Sequence, residues 1–381
     1  MKDILFVSVD KIAVIGGSNG GYATAADLSK KGFSVRFYVR TPENHRKTLR
    51  EEKIKLRVSE KYNLDKRIPG AIRDVPISKV TTNLEEAVQG AKAVIAPLPT
   101  TTNWELSKQL VPVLEEGQFV FITPGNFGSY IFSKRWKEKR GSLEDITFAE
   151  TPTLPYVTRR SGENEATINL DAVDLPLGAF PGNATDSAYQ VFSSFYSSTR
   201  MAKDALDAAL NNSNVGVNAV PTVLNAGAIE SDEIKNFNIH RQGVSNSVYK
   251  VIMDSDEERV AIRRELNYGP PDFTQDDYYQ GDESEGEHFY GKGAHDALFS
   301  ADTFKEDPPS LDSRYVHEDI GIAAVFFSSL GKHLGIETPV IDSVVDIACS
   351  LMDIDYKKEG RTVENLDLEF KNSTELKNIL K

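Results

Sequence analysis

Within residues 13–23, AVIGGSNGGYA, Gly16, Ser18 and Gly21 stand at the three positions of a G-x-G-x-x-G turn. The turn directly follows the apolar run KIAVIG and directly precedes the amphipathic run GYATAADLSKKG. That order suits a strand, a tight loop and a helix whose first amides and partial positive charge hold a pyrophosphate. Gly16 would make the turn, the backbone at Ser18 would approach the phosphates, and Gly21 would let the helix lie close to the strand. Gly17, Asn19 and Gly20 complete the expected cofactor-binding set. A serine at the middle position narrows the space, though its hydroxyl could itself meet a phosphate oxygen or a water. On the residues alone, a purely structural turn is the alternative.

The nucleotide is read at the tip of the second strand, where an acid would hold a ribose 2'-hydroxyl. Here RFYVRTPENHRK offers Val39 and then Arg40, Thr41, His45 and Arg46, and the nearest carboxylate, Glu43, lies past the tip. Arg40 and Thr41 therefore point to a 2'-phosphate, so NADP is expected rather than NAD. The later loops LPTTTN, with Pro99 and Thr100, and TPGNFG follow apolar runs and should line the nicotinamide side, because open sheets bind ligands at strand carboxyl ends.

A second group of polar residues lies far along the chain. In SRYVHED, Arg314 precedes Asp319 by five residues at the start of a helical run, a spacing that can set an anion clamp beside a carboxylate. An ordinary helix-start ion pair is the alternative. His240 in NIHRQG and His317 in RYVHED are candidates for proton transfer near neutral pH, or else packing histidines. The single cysteine, Cys349, lies in VVDIACSLM; it reads as a packed thiol and suits a reducing compartment, so a cytoplasmic location is expected. No metal is expected.

The elements that must position these groups follow from periodicity. KIAVIG, SVRFYV, KAVIAPL, QFVFIT and DITFAE read as buried strands alternating with helical patterns, which predicts an α/β Rossmann-type doubly wound parallel sheet. After LPLGAFPGNATDS long helical patterns take over, such as SNSVYKVIMDSDEERVAIRREL and IDSVVDIACSLMDI. An all-α C-terminal domain is expected, with residues 1–184 binding the dinucleotide and 185–381 the substrate. Residues 269–312, rich in Gly, Pro, Asp and Tyr, read as a flexible or substrate-covering loop. The segment before Lys11 reads as an extra stretch and not as a secretory signal.

A formal net charge of -13 opposes nucleic-acid binding, and no run reaches the roughly 20 apolar residues of a membrane helix. Small anions would bind only where arginines reverse the field locally. The run GIAAVFFSSLG is core or interface, so a homodimer is open.

Several stretches together, AETPTLPYVTR, NSNVGVNAVPTVLNAGAIES, R-Y-x-x-E-D, L-G-x-x-x-G-x-x-T-P and D-Y-x-x-x-G-R-T, resemble the opine dehydrogenases, the octopine and nopaline dehydrogenase group. The resemblance covers nearly the whole chain. It implies a Rossmann domain followed by a helical domain, and reduction by NADH or NADPH of the imine formed from an amino acid and an α-keto acid. It further implies that Arg314 holds a substrate carboxylate and that Asp319 orients a catalytic histidine. Tyr156, Arg159 and Asn225 become candidate substrate contacts. The pattern breaks at Asn218, which stands seven residues before Asn225 where the family carries that histidine. An amide does not titrate near neutral pH, although Asn218 can still donate a hydrogen bond to substrate and pair with Asp319. The break leaves two alternatives: a reductase of a ketone or a preformed or cyclic imine, or a catalytically decayed NADP-binding sensor or partner module.

Overall fold

All five apolar runs are strands of one sheet. The computed structural model describes residues 9–58, 72–280, 288–292, 295, 308 and 310–381. The strands are β1 (Lys11–Ile15), β2 (Ser34–Tyr38), β3 (Lys53–Val58), β4 (Arg73–Pro76), β5 (Lys79–Thr81), β6 (Ala93–Ala96), β7 (Phe119–Ile122), β8 (Thr147–Glu150), β9 (Tyr156–Gly162), β10 (Glu165–Asp171), β11 (Leu175–Phe180) and β12 (Thr199–Met201). The larger sheet has the order β12-β11-β8-β7-β6-β1-β2-β5. Pairing is parallel from β5 through to β8 and between β11 and β12; β8 and β11 are antiparallel. β6 and β7 are buried along their whole length, as strands covered on both faces must be, and so read as unbroken apolar runs.

β1 sits between β2 and β6, with Ile12 opposite both Val35 and Ala93. The chain winds to one side of β1 first and to the other afterwards, so the strand order reverses there. Such a switch opens a crevice at the strand carboxyl ends, which is where the glycine turn leaves β1. Beneath it Trp136, Phe148, Leu110 and Val120 close one core of the unit.

Beside this sheet lies a second one, order β4-β3-β10-β9, absent from the sequence expectation. In β3, Ile54, Leu56 and Val58 face inward while lysines and an arginine alternate outward. That period of two is short and charged, and it leaves no apolar run to notice.

The chain divides into two compact units, Met1–Leu98 with Thr102–Ala205, and Pro99–Thr101 with Leu206–Lys381. The division therefore falls at 205/206, where 184/185 was expected. Residues 185–205 belong with the sheet because β12 pairs with β11 and the Ala179 amide donates to the Thr185 hydroxyl at 3.1 Å. The second unit is helical among the described residues, and GIAAVFFSSLG is mostly core, with Ala323, Ala324, Phe326 and Phe327 buried. No helix among the described residues is long and apolar enough to cross a membrane.

Two buried arginines on the helix Asn246–Glu265 organise this second unit. Arg263 donates to Asp272 at 2.7 Å, to Asp207 at 2.9 Å and to the Gly269 carbonyl at 3.0 Å. Arg259 donates to Asp256 at 2.8 Å and to the carbonyls of Leu210 and Asp272 at 2.7 and 2.8 Å. The start of the expected loop is thus anchored, with Phe273 and Gln275 fully buried. Its aperiodic sequence reflects backbone carbonyls turned toward arginines. Residues 281–287, 293–294, 296–307 and 309, which the loop expectation also covered, lie outside the described residues, as do residues 1–8 of the N-terminal stretch. Removing one partner of a buried charged network typically costs about 3–5 kcal/mol. Arg263→Ala should lower the unfolding free energy by that amount in urea melts; a loss below about 1 kcal/mol would show that the network is not what holds this segment.

Candidate active site

Ser18 caps the helix Asn19–Lys30, accepting a hydrogen bond from the Gly21 amide at 2.9 Å and donating to the Pro97 carbonyl at 2.6 Å. Its hydroxyl therefore faces into the fold, correcting the expectation that it could meet a phosphate. Gly16 has φ +104°, a conformation that favours glycine, and a side chain there would strike Leu98. At Gly21 a Cβ would overlap the Gly16 carbonyl, so the helix passes closer to the turn than any other residue permits. A glycine turn on a three-turn helix at the sheet's switch point fits a dinucleotide pyrophosphate.

Around this turn the structure brings in His45 and adds Tyr22 and Arg160, which the sequence did not single out. The imidazole of His45 lies against Gly17, and its Nδ1 bonds the Tyr22 hydroxyl at 2.8 Å. Burial, followed by the charge of Arg160, lowers the His45 pKa. The Arg160 guanidinium lies 4.3 Å over the Tyr22 ring, and its backbone amide donates to the Asn19 side chain at 3.0 Å. Arg159 and Arg160 alternate along β9 and point to opposite faces. Arg160 is therefore the one beside the turn, while Arg159 donates to the Thr158 carbonyl at 3.2 Å. Arg40 is exposed just past β2, and Thr41 accepts from the Asn44 amide at 3.2 Å. In the TPGNFG loop, buried Glu150 accepts from the amides of Phe127 and Ser129 at 2.6 and 2.8 Å.

In the second unit the structure brings Asn218 and Asp319 together. Asn218 lies in a π-helical turn, Val215–Ala219, and Asp319 opens another, Asp319–Ala324. Such turns widen a helix by one residue and recur at functional sites. The Asn218 Nδ2 donates to Asp319 Oδ2 at 2.9 Å, and both residues are buried. Exposed Arg314 has its Nη1 3.9 Å from Asp319 Oδ2 and 3.9 Å from Glu318 Oε2, longer than a hydrogen bond. Burial pushes the Asp319 pKa up to about 7, with Glu318 adding to the rise and Arg314, Asn218 and Asn214 opposing it.

Glu318 and Arg361, both missed in the sequence, hold the backbone of Thr100. The Thr100 amide donates to Glu318 Oε1 at 2.7 Å and its carbonyl accepts from Arg361 Nη2 at 3.1 Å. These bonds account for the grouping of Pro99–Thr101 with the helical unit. The adjacent acid pair in HEDI and the arginine of GRT were the available signals.

Other expected residues have structural partners. Tyr156 is 1% exposed and donates to Thr24 Oγ1 at 2.8 Å, so it is a core residue of the first unit and not a substrate contact. The half-buried Asn225 side chain donates through Nδ2 to the carbonyls of Pro221 and Gly243 at 2.8 and 3.0 Å, which ties a loop. His317 bonds Asp312 at 2.8 Å and the Tyr356 hydroxyl at 2.7 Å, and His240 packs edge-on to Tyr315.

A glycine turn on a doubly wound sheet thus suits a dinucleotide, and the helical unit carries a buried Asn–Asp pair beside an arginine. Residues 11–125 match the model described as NAD-dependent glycerol-3-phosphate dehydrogenase N-terminus, and residues 201–352 match NAD/NADP octopine/nopaline dehydrogenase, alpha-helical domain. The chain is 26% identical over 359 residues to the opine dehydrogenase of Arthrobacter sp. (strain 1C), covering 93% of this chain and 94% of that one. Among solved structures it resembles octopine dehydrogenase with NADH and L-arginine, at TM-score 0.68 and 17% identity over 97% and 96% of the two chains. It also resembles NADP+-bound yersinopine dehydrogenase, at TM-score 0.65 and 12% identity over 98% and 99%. These similarities support an assignment to the opine dehydrogenases, NAD(P)-dependent oxidoreductases acting on a CH–NH bond.

The turn that carries Asn218 is buttressed from behind. Gln275 donates to the Ser213 carbonyl at 2.6 Å, and the Ser213 hydroxyl bonds buried His288 Nε2 at 3.2 Å. Burial first, then the Arg259 charge, pushes the His288 pKa down to about 3 from 6.5. The folded value is depressed, so the neutral ring's contribution is complete above pH 6.5 and is lost as pH falls toward 3. Unfolding free energy should fall by up to about 1.4 kcal/mol per pH unit through this window. Urea melts at pH 7, 5.5 and 4.5 should show a shallower decline in His288→Asn; equal slopes would remove His288 from the acid response.

Proposed function

We propose that this protein reduces, with NADPH, the imine formed from an amino acid and an α-keto acid. In balance, one amine, one keto acid, one NADPH and one proton give one secondary amine dicarboxylate, NADP+ and water. The observation that carries the reading is the buried Asn218–Asp319 pair beside Arg314, on the helical unit that matches the octopine/nopaline dehydrogenase model. The relative from Arthrobacter is named an opine dehydrogenase, and the octopine dehydrogenase structures are described with NADH and L-arginine or with pyruvate. Those similarities do not favour the ketone reductase or decayed-sensor alternatives.

The roles follow from chemistry. Bound nicotinamide supplies the hydride, and the protein must bind, orient and charge-match the other partners. The turn from Gly16 to Gly21 takes the pyrophosphate. Arg40, exposed past β2 with no acid at the tip, takes the 2'-phosphate and makes NADPH the preferred cofactor. Arg314 takes a substrate carboxylate by charge-assisted hydrogen bonds. The single cysteine suits a cytoplasmic enzyme.

The test is NADPH oxidation with pooled amino acids plus pooled keto acids, each pool also supplied alone, and mass spectrometry of the products. Consumption should require both pools and yield the reduced condensation product; consumption with one pool alone refutes the reading. For the cofactor, Arg40→Ala should weaken NADPH binding about tenfold, one charge-assisted contact, while NADH changes less than twofold. Tighter binding of NADH than NADPH by the wild type would reject the NADP preference.

A further inference from the structure

The Asn218–Asp319 bond has a direction. An ionised carboxylate only accepts hydrogen bonds, so the group Asn218 turns toward it must be its Nδ2, as observed at 2.9 Å. That orientation turns the amide oxygen away from Asp319. One of the two Asn218 N–H groups is thereby committed to the acid, and the amide oxygen is turned to where it can accept from a substrate nitrogen. Around the carboxylate, the Asn214 side chain also favours the ionised form through hydrogen bonding.

Resting on the function proposed above, we propose that Asn218 presents its amide oxygen to the reacting nitrogen, and that ionised Asp319 is the positioning residue that fixes this orientation. The attacking amine carries N–H groups and needs an acceptor that aims its lone pair at the keto carbon. Once the C–N bond has formed, one nitrogen proton passes to the former keto oxygen by way of solvent, and that oxygen takes a second proton from solvent and leaves as water, so that the nitrogen belongs to an iminium cation. The same amide oxygen, with the Asp319 charge behind it, stabilises that cation until hydride reaches the carbon. No proton passes through Asn218, which suits an amide. Protonated Asp319 could instead donate to the amide oxygen, which would rotate the amide and point its N–H groups at the cation. The active form is therefore the ionised one.

The charged and titratable groups set about Asp319 are Arg314 and Glu318 on its own segment, with His317 bonded to Asp312 and Tyr356 one turn away. The Tyr356 ring packs against Gly321, and its pKa is raised to about 12, so it stays neutral through the working range. With burial holding the Asp319 pKa near 7, the orienting charge appears as pH rises through neutrality.

The experiment is kcat/KM for condensation from pH 5.5 to 8.5 in wild type and Asp319→Asn, reported as their ratio so that titration of the substrates cancels. The ratio should climb through pH 7 and level at about 100-fold, as for loss of one oriented dipole at a developing charge. Asn218→Ala should lose a similar factor, and the double variant should be no slower than the slower single one. A pH-independent ratio would sink the proposal, and so would a ratio that falls with pH, the sign of Asp319 acting as proton donor. If Asp319→Asn does not fold, Asp319→Glu decides: it keeps a rising limb at a displaced pH, and an undisplaced limb counts against Asp319. Wild type that makes no condensation product removes the function reading itself; product formation without the Asp319 limb removes this proposal alone.

Discussion

A carboxylate sealed from water, with its nearest described cation 3.9 Å away, is an expensive arrangement, and the helical unit is built around one. Asp319 has Arg314 at 3.9 Å, too far for a hydrogen bond, and depends on the Asn218 amide at 2.9 Å. The bond survives only if two π-helical turns keep their separation. One turn is held by Gln275, Ser213 and His288, and by Arg259 on the Leu210 carbonyl. The other is held by the Arg361 amide on the Gly321 carbonyl at 3.2 Å and by the Tyr356 ring against Gly321. Buried polar networks of this kind are costly when half satisfied, so their partners must be set by the fold and not by chance.

The first unit meets a different constraint, close approach of backbones. Gly21 against the Gly16 carbonyl fixes how near the first helix comes to β1, and the Ser18 hydroxyl closes the turn against Pro97. A serine at this position therefore serves the loop's shape. His45 and Tyr22 fill the adjoining space, and Arg160 covers the Tyr22 ring.

Legibility in the sequence followed burial. Strands covered on both faces, such as β6 and β7, are continuous apolar runs, and the glycine turn has fixed spacing, so the parallel sheet and its cofactor end could be read. The second sheet could not, because β3 spends only three of its six residues on the core and alternates them with charges. The boundary was set too early because β12 is three residues long and two of those are exposed. At the site, Asn218, Asp319 and Arg314 were legible through a resemblance that fixes their register. Tyr156 turns out buried and bonded within the first unit, because a tyrosine hydroxyl looks the same in sequence whether it bonds a ligand or its own fold. Glu318 and Arg361 act on the backbone of Thr100, more than 200 residues away in sequence, and no local pattern announces a bond of that span.

The charges are also sorted by depth. Arg314 is exposed, Asp319 is buried behind an amide, and the chain as a whole carries -13. Under the proposed function an anionic keto acid approaches against that field, so its recognition would have to come from a local cation at the surface. An amine needs the reverse, a negative potential that does not capture the arginine first. A tight, direct Arg–Asp pair would cancel both potentials. Placing Asn218 between the acid and its surroundings transmits the negative end of the dipole outward while burial keeps the carboxylate's charge sensitive to pH. An imidazole in that place would carry the proton itself; an amide leaves the acid behind it to decide when the site is polarised.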